Sequence, residues 1–313
     1  VSVALTDLRS RVLVWKEQKH PVRTDPEGTR QVVFKLCDEC LEQWGGGRDR
    51  LMRIGLAVPS PVDPVNPKWL SEVVIPAWQG QSGLDKLQER YGVPVSIDND
   101  ANLGALAEHW WGAGRGVDDL IYIKMSHGVG AGYILNGEIY RGAGGLAGEI
   151  GHLPIDPSGE KCVCGLRGCL ATFVSAPALA ARIDRLSGKY SKSPLCQREP
   201  DLADIGRAAL AGDAVAVKIV EEVAHYLGIA IAGWFNLMNP QLVVLGGDLT
   251  VVGDRILKSL KDKVAPATLV SSAVADIRMS ELGSQAIALG AATLALEAVL
   301  ADPSLSRQEQ EVK

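Results

Sequence analysis

The alternation of apolar and polar positions changes rhythm several times along the chain, and each change marks an element. Residues 1–5 and 12–15 are short apolar-rich runs separated by a polar turn at 7–10, which predicts a hairpin. A helical period then covers 27–44 and stops at Gly45-Gly46-Gly47. Residues 51–58 form an apolar run of strand length, and the proline-rich stretch 59–76 reads as a loop. A short helix over 84–91 ends at Gly92, a strand covers 95–97 and a helix 100–111. Residues 120–125 and 132–135 read as strands, with the hairpin signal Asn136-Gly137 after the second. A glycine-rich stretch (142–151) and a cysteine loop (162–169) follow, then helices over 176–186, 202–210 and 214–237. A strand over 242–245 runs into Gly246-Gly247, and helices over 253–264 and 285–300 close the pattern, with a polar, frayed tail after Asp302.

Strands alternate with helices but hairpins are mixed in, which predicts an α/β class with mixed rather than purely parallel sheets. A chain of 313 residues is long enough for about two domains. Its 47% hydrophobic and 22% charged residues exclude a disordered protein. The net charge of -5 argues against a nucleic-acid-binding face within these residues. No run reaches the ~18 uncharged apolar residues of a membrane span. The best candidate, 214–237, is interrupted by Lys218, Glu221, Glu222 and His225, and nothing reads as a signal peptide. A strand at the first residue, with no initiator methionine, implies that an upstream segment is missing.

Three places carry candidate chemistry. The run from His152 to Cys169 offers His152, Cys162, Cys164 and Cys169, with Gly165 and Gly168 to turn the chain back. Three thiols and an imidazole match a structural zinc site, against the plainer reading of buried free cysteines. Metal-spaced thiols suit a reducing cytoplasm. The pair Cys37 and Cys40 lies inside a predicted helix with no partner pair, and reads as two small packing residues. At Asp98-Asn99-Asp100-Ala101-Asn102 a strand ends and a helix begins, where a carboxylate can accept a substrate proton or simply cap the helix. Gly128 and Gly130, and Gly246 and Gly247, follow strands and could cradle phosphate, although hairpins use glycine in the same way.

Taken in order, Asn99-Asp100-Ala101-Asn102, Gly144-Gly145-Leu146-Ala147-Gly148-Glu149-Ile150-Gly151-His152 and Cys162-Val163-Cys164-Gly165-Leu166-Arg167-Gly168-Cys169 resemble the ROK family of sugar kinases and sugar-responsive repressors. The resemblance covers essentially the whole chain and implies an actin-like, hexokinase-like fold of two ribonuclease-H-like domains around a cleft. The expected division is 1–98 plus about 286–313, and 99–285. It implies Asp100 as the base that deprotonates a sugar hydroxyl, and Asn99, Glu149 and His152 as partners of other hydroxyls. His152 would also bind zinc with Cys162, Cys164 and Cys169. Gly128 and Gly130 would lie in a phosphate loop, and Gly246 and Gly247 in the nucleotide turn.

Three departures from the kinase pattern bear on function. The Asp-x-Gly-x-Thr loop that grips ATP phosphates does not occur, Ala171 stands where the family usually has a sugar-contacting Glu, and His127 occupies a position that is usually small. The expectation is therefore a sugar-responsive transcriptional regulator, of which this is the zinc-containing effector body. Its partners would be a monosaccharide or sugar phosphate, DNA through a missing N-terminal helix-turn-helix, and further copies in a homodimer or homotetramer. The alternatives are an ATP- and magnesium-dependent sugar kinase, kept open by the intact Asn99, Asp100, Glu149 and His152, and a sugar-binding protein with neither activity.

Overall fold

The computed structural model describes residues 1–197, 200–269 and 276–302. In chain order the elements are β1 Ser2–Thr6, β2 Val12–Glu17, α1 Pro26–Trp44, β3 Ile54–Val58, α2 Leu84–Tyr91, β4 Val95–Asn99, α3 Asp100–Trp111, β5 Leu120–Met125 and β6 Val129–Leu135. There follow β7 Glu138–Ile139, α4 Ala171–Val174, α5 Ala176–Ser187, α6 Leu202–Leu210, α7 Ala214–Met238, β8 Leu242–Gly247, α8 Asp254–Val264, β9 Asp276–Met279 and α9 Ala286–Leu300. They fall into two compact units. One comprises Val1–Ala107, Arg141–Leu146 and the segment from Gln285; the other comprises Glu108–Tyr140 and Ala147–Ser284.

In the first unit β1 and β2 form an antiparallel hairpin, and β3 pairs parallel with β4. Helix α1 starts where Asp25 accepts from the Gly28 N–H and Pro26 fills its first turn, the position where a missing N–H costs nothing. It ends on Gly45, whose φ of 69° lets its N–H return to the Leu41 carbonyl. Helix α9 packs on β1, β3 and β4. At Gly290 the approach is so close that a Cβ would strike the Leu103 carbonyl of α3.

The second unit is built on a five-stranded sheet ordered β7-β6-β5-β8-β9. β5, β8 and β9 are parallel, while β6 and β7 add as antiparallel strands. The Asn136-Gly137 signal makes the β6–β7 turn, with φ of 52° and 80°, the left-handed pair that a two-residue hairpin requires. Helix α7 fills the core with Val223, Leu227 and Ile231 beside Ile121, Ile123 and Val243 of the sheet, all fully buried. Each such side chain contributes roughly 1.5–3 kcal/mol by leaving water.

Some expectations shift. The strand expected over 51–58 begins only at Ile54, because Arg48–Arg50 form a turn of 3-10 helix that delays it. β6 starts at Val129, three residues early, so Gly130 is a strand residue. β7 and β9 carry too few apolar residues to have been legible. The best membrane-span candidate is not 214–237, as expected, and the run that displaces it still carries Glu297. Gly283–Leu300, with mean hydropathy 1.4, passes by length and composition. Its buried Ala286, Leu289, Ala291, Ala295 and Leu296, seated on β1, β3 and β4, give it the character of a core helix. The expected frayed tail lies outside the described residues.

Candidate functional site

The β4–α3 junction is held by its own side chains. The Asn99 Oδ1 accepts from the Ala101 N–H at 2.8 Å, so Asn99, rather than either aspartate, caps α3. Its Nδ2 donates to the Ser60 carbonyl at 3.1 Å, which ties the junction to the proline-rich loop. Asp100 is the first residue of α3 and is half-buried.

Asp98 turns the other way. It is buried, its Oδ1 accepting from the Asn99 N–H at 2.7 Å and from Asn102 Nδ2 at 2.9 Å. Its Oδ2 accepts from Arg141 Nε at 2.7 Å, and Arg141 Nη2 stands 2.7 Å from the same oxygen. Arg141 opens the glycine-rich stretch, and Gly145 there passes so close to the Val62 carbonyl that only glycine fits. The segments at 60–64, 98–102 and 141–146 are thus pinned together within the first unit. Asp98 and Arg141 also line a cavity of about 300 Å³ with Val62, Pro64, Ile97 and Leu294. Sequence reasoning missed Arg141, because nothing local connects it to an aspartate 43 positions earlier.

Glu149 and His152 lie in the second unit on one turn of 3-10 helix, where the His152 N–H donates to the Glu149 carbonyl at 3.0 Å. Both side chains are half-buried. Gly148 before them takes φ of 95° and presses on the Ala131 carbonyl, fixing where the turn begins.

The cysteine loop brings its four candidates together. The ligand atoms of His152, Cys162, Cys164 and Cys169 all lie within 4.8 Å of one another. Cys164 Sγ is 3.7 Å from Cys169 Sγ, and Cys162 Sγ is 3.5 Å from His152 Nδ1. A tetrahedral ion with metal–sulfur bonds of about 2.3 Å and a metal–nitrogen bond of about 2.0 Å has edges of about 3.8 and about 3.5 Å, so both distances fit such an ion. The loop is shaped for this by backbone. Gly165 takes φ of 94° and Gly168 φ of 61°, with no room for a Cβ beside the Asp156 carbonyl. Burial and the neighbouring Cys164 and Cys162 thiols push the Cys169 thiol up to about 12. A metal ion binds such thiols as thiolates and compensates their charge. Nδ1 is the ring nitrogen of His152 on the cysteine side, and Nε2 is directed away from it.

Gly128 sits in the tight β5–β6 hairpin, where the Ser126 N–H donates to its carbonyl at 3.0 Å. Gly130 and Gly246 both pair with Lys124, so the two glycine pairs flank the same end of β5. Packing already demands glycine at two of them. A Cβ on Gly246 would strike the Tyr122 ring, and one on Gly247, at φ of 83°, the Met125 backbone. His127 is exposed on the hairpin, and Ala171 begins α4. Cys37 and Cys40 lie within α1, and burial pushes the Cys37 thiol up to about 12, the mark of a packing residue rather than a nucleophile.

The chain resembles kinases and repressors alike. It is 36% identical over 278 residues to the glucokinase of Halalkalibacterium halodurans, covering 84% of this chain and 83% of that one. It is 30% identical over 296 residues to the xylose repressor of Bacillus subtilis, covering 94% of this chain and 73% of the repressor. Among solved structures, a ROK family transcriptional regulator described as a homologue of the E. coli MLC protein superposes with a TM-score of 0.81 at 28% identity, covering 95% of this chain and 75% of that one. The two-unit α/β architecture is the actin-like, hexokinase-like fold of these neighbours. The model of the ROK family matches residues 1–298, and with these relatives it establishes that the chain belongs to the ROK family.

Proposed function

We propose that this chain is the sugar-sensing body of a cytoplasmic ROK-family transcriptional regulator. Asn99, Asp100, Glu149 and His152 are the residues that, on the family resemblance, contact the hydroxyls of a monosaccharide or sugar-phosphate effector. The carboxylates accept hydrogen bonds, and the amide and imidazole also donate, the kind of polar set that orients a small ligand. A structural zinc ion is held by His152 Nδ1, Cys162, Cys164 and Cys169, and by fixing the ring it aims Nε2 at the sugar. DNA is bound by a helix-turn-helix segment outside this chain, in a homodimer or homotetramer.

The observation that carries the regulator reading is Ala171 at the start of α4, two residues beyond the Cys169 ligand. A methyl group there cannot accept from a sugar hydroxyl, which removes an anchor worth ~1 kcal/mol or more. Exposed His127 on the β5–β6 hairpin adds to it by crowding the place a phosphate loop would need.

The second reading is an ATP-dependent sugar kinase, favoured by the 36% identity to a glucokinase. In it Asp100 would take the proton of the attacking hydroxyl, while ATP and magnesium would be held near Gly128, Gly130, Gly246 and Gly247. Thermal-shift measurements with aldohexoses, N-acetylated hexosamines and pentoses should reveal at least one stabilising sugar. An ADP-release assay with that sugar should show little turnover. Robust turnover abolished by Asp100→Asn would replace the regulator reading with the kinase. No stabilisation by any sugar would remove both.

A further inference from the structure

The proposed sugar contacts leave unused the most elaborately supported side chain of the first unit. Asp98 is only 2% exposed, yet both its oxygens are already committed, Oδ1 to the Asn99 N–H and Asn102 Nδ2, Oδ2 to Arg141. A saturated carboxylate of this kind has nothing left to offer a ligand. What it does is hold a guanidinium in one orientation, with its own position set by the helix cap that also places Asp100.

Arg141 is not saturated. A guanidinium carries five N–H donors. Only Nε and Nη2 meet Asp98, and no other protein acceptor meets Arg141 among the described residues. Its side chain remains 33% exposed and lines the cavity of about 300 Å³. Most of that lining is apolar, from Val62, Pro64, Ile97 and Leu294. A charged donor locked at the edge of an apolar cavity, with N–H groups to spare, is built to receive an oxygen.

The geometry points to Arg141 as a further ligand-binding residue, presented by Asp98 to an uncharged oxygen of the sugar, either a hydroxyl or the carbonyl of an acylamino substituent. The inference rests on the sugar-binding reading. The choice of an uncharged acceptor follows from the ion pair. Asp98 already neutralises Arg141, so a carboxylate or phosphate at the same guanidinium would face the buried Asp98 charge across it. The apolar lining suits the carbon skeleton or a methyl group behind that oxygen.

The test is a cycle of protein and ligand changes, read by calorimetry. The best sugar of the panel, and its deoxy or deacylated analogues lacking one oxygen each, are titrated into wild type, Arg141→Met and Arg141→Lys. One analogue should lose about tenfold or more in wild type, the scale of a hydrogen bond to a charged group, and bind Arg141→Met no worse than the parent sugar does. Arg141→Lys, which keeps the charge but not the fork, should fall between. Should Arg141→Met not fold because it strands the Asp98 charge, Asp98→Asn with Arg141→Met removes both charges and takes its place. An equal loss for every analogue would make Arg141 a purely structural residue and overturn the assignment, as would wild-type affinity in Arg141→Met. In either case loss of binding in Glu149→Ala would leave the sugar reading standing. A wild type silent to every sugar would instead defeat the sugar reading, and this assignment with it.

Discussion

Glu108 offers a stringent test of how the second unit is held together. It lies near the end of α3 with no exposed surface. Its Oε2 accepts from the Ala113 N–H at 2.8 Å and the Glu281 N–H at 3.4 Å, and its Oε1 accepts from the Ser280 hydroxyl and from the Leu282 N–H at 3.2 Å. One carboxylate thus gathers the turn after α3 and the loop after β9. Glu108→Ala leaves those donors buried without an acceptor. Each would cost ~1–3 kcal/mol if nothing relaxed, and partial rehydration brings the total to about 3–5 kcal/mol. Glu108→Gln separates charge from shape. If its oxygen keeps the Oε2 contacts, its amide faces the Ser280 hydroxyl, which rotates to accept, and the Leu282 N–H, which cannot. The expected cost is about half that of the alanine. At ~2–4 °C per kcal/mol for a unit of this size, Glu108→Ala should lower the melting temperature by roughly 6–20 °C, and Glu108→Gln by roughly half as much. Differential scanning calorimetry measures both. A Glu108→Ala protein melting within 1 °C of wild type, or a glutamine variant worse than the alanine, would refute the reasoning.

Chelation at neutral pH, or Cys164→Ala, should remove about one zinc per chain by elemental analysis and lower the melting temperature together; stable, metal-free wild-type protein would contradict a structural ion. Gly290→Ala places a methyl group against the Leu103 backbone, which has nowhere to yield, and should cost ~1–3 kcal/mol in urea unfolding despite the better helix propensity of alanine. Hydrogen bonding from Arg278, with the charges of Arg278 and Lys261 beside it, holds the Asp276 carboxyl below its ordinary range. A lowered folded-state pKa contributes stability that is complete above the unfolded value near 4 and is lost as pH falls through the lowered one. Wild type should therefore lose a small increment over Arg278→Ala as pH drops below about 4, seen as converging melting curves.

Legibility in the sequence followed the range of the interaction. The cysteine loop was readable because its four members lie within eighteen consecutive residues and glycines mark its turns. The β6–β7 turn was readable from two residues alone. Arg141 was not, since its meaning depends on Asp98 across a fold that no local pattern encodes. β9, Asp276–Met279, was missed because a short edge strand with two charged residues has no apolar run to announce it. The junction at Asp98–Asp100 was legible in kind but not in assignment. A cap was foreseen as the plain alternative for either aspartate, and the residue that performs it is Asn99. Gly246 and Gly247 show the opposite problem, a motif with two sufficient causes. Packing against Tyr122 and Met125 requires glycine there whether or not a phosphate ever arrives.

The parallel pairing at the centre of the five-stranded sheet also dictates an order of events. β5 meets β8 in register from Leu120 with Leu242, and the Gln241 side chain accepts from the Asp119 backbone across a separation of 122 residues. The β5–β6 hairpin can close within microseconds of leaving the ribosome, but its inner edge must wait for α4 to α7 to be made and gathered before its partner exists. Through that interval an apolar strand edge stands open, the state most prone to pair with another chain. Closing so long a loop is slow. The yield of folded protein should therefore fall steeply with chain concentration on refolding, although in the finished sheet β5 is paired on both edges.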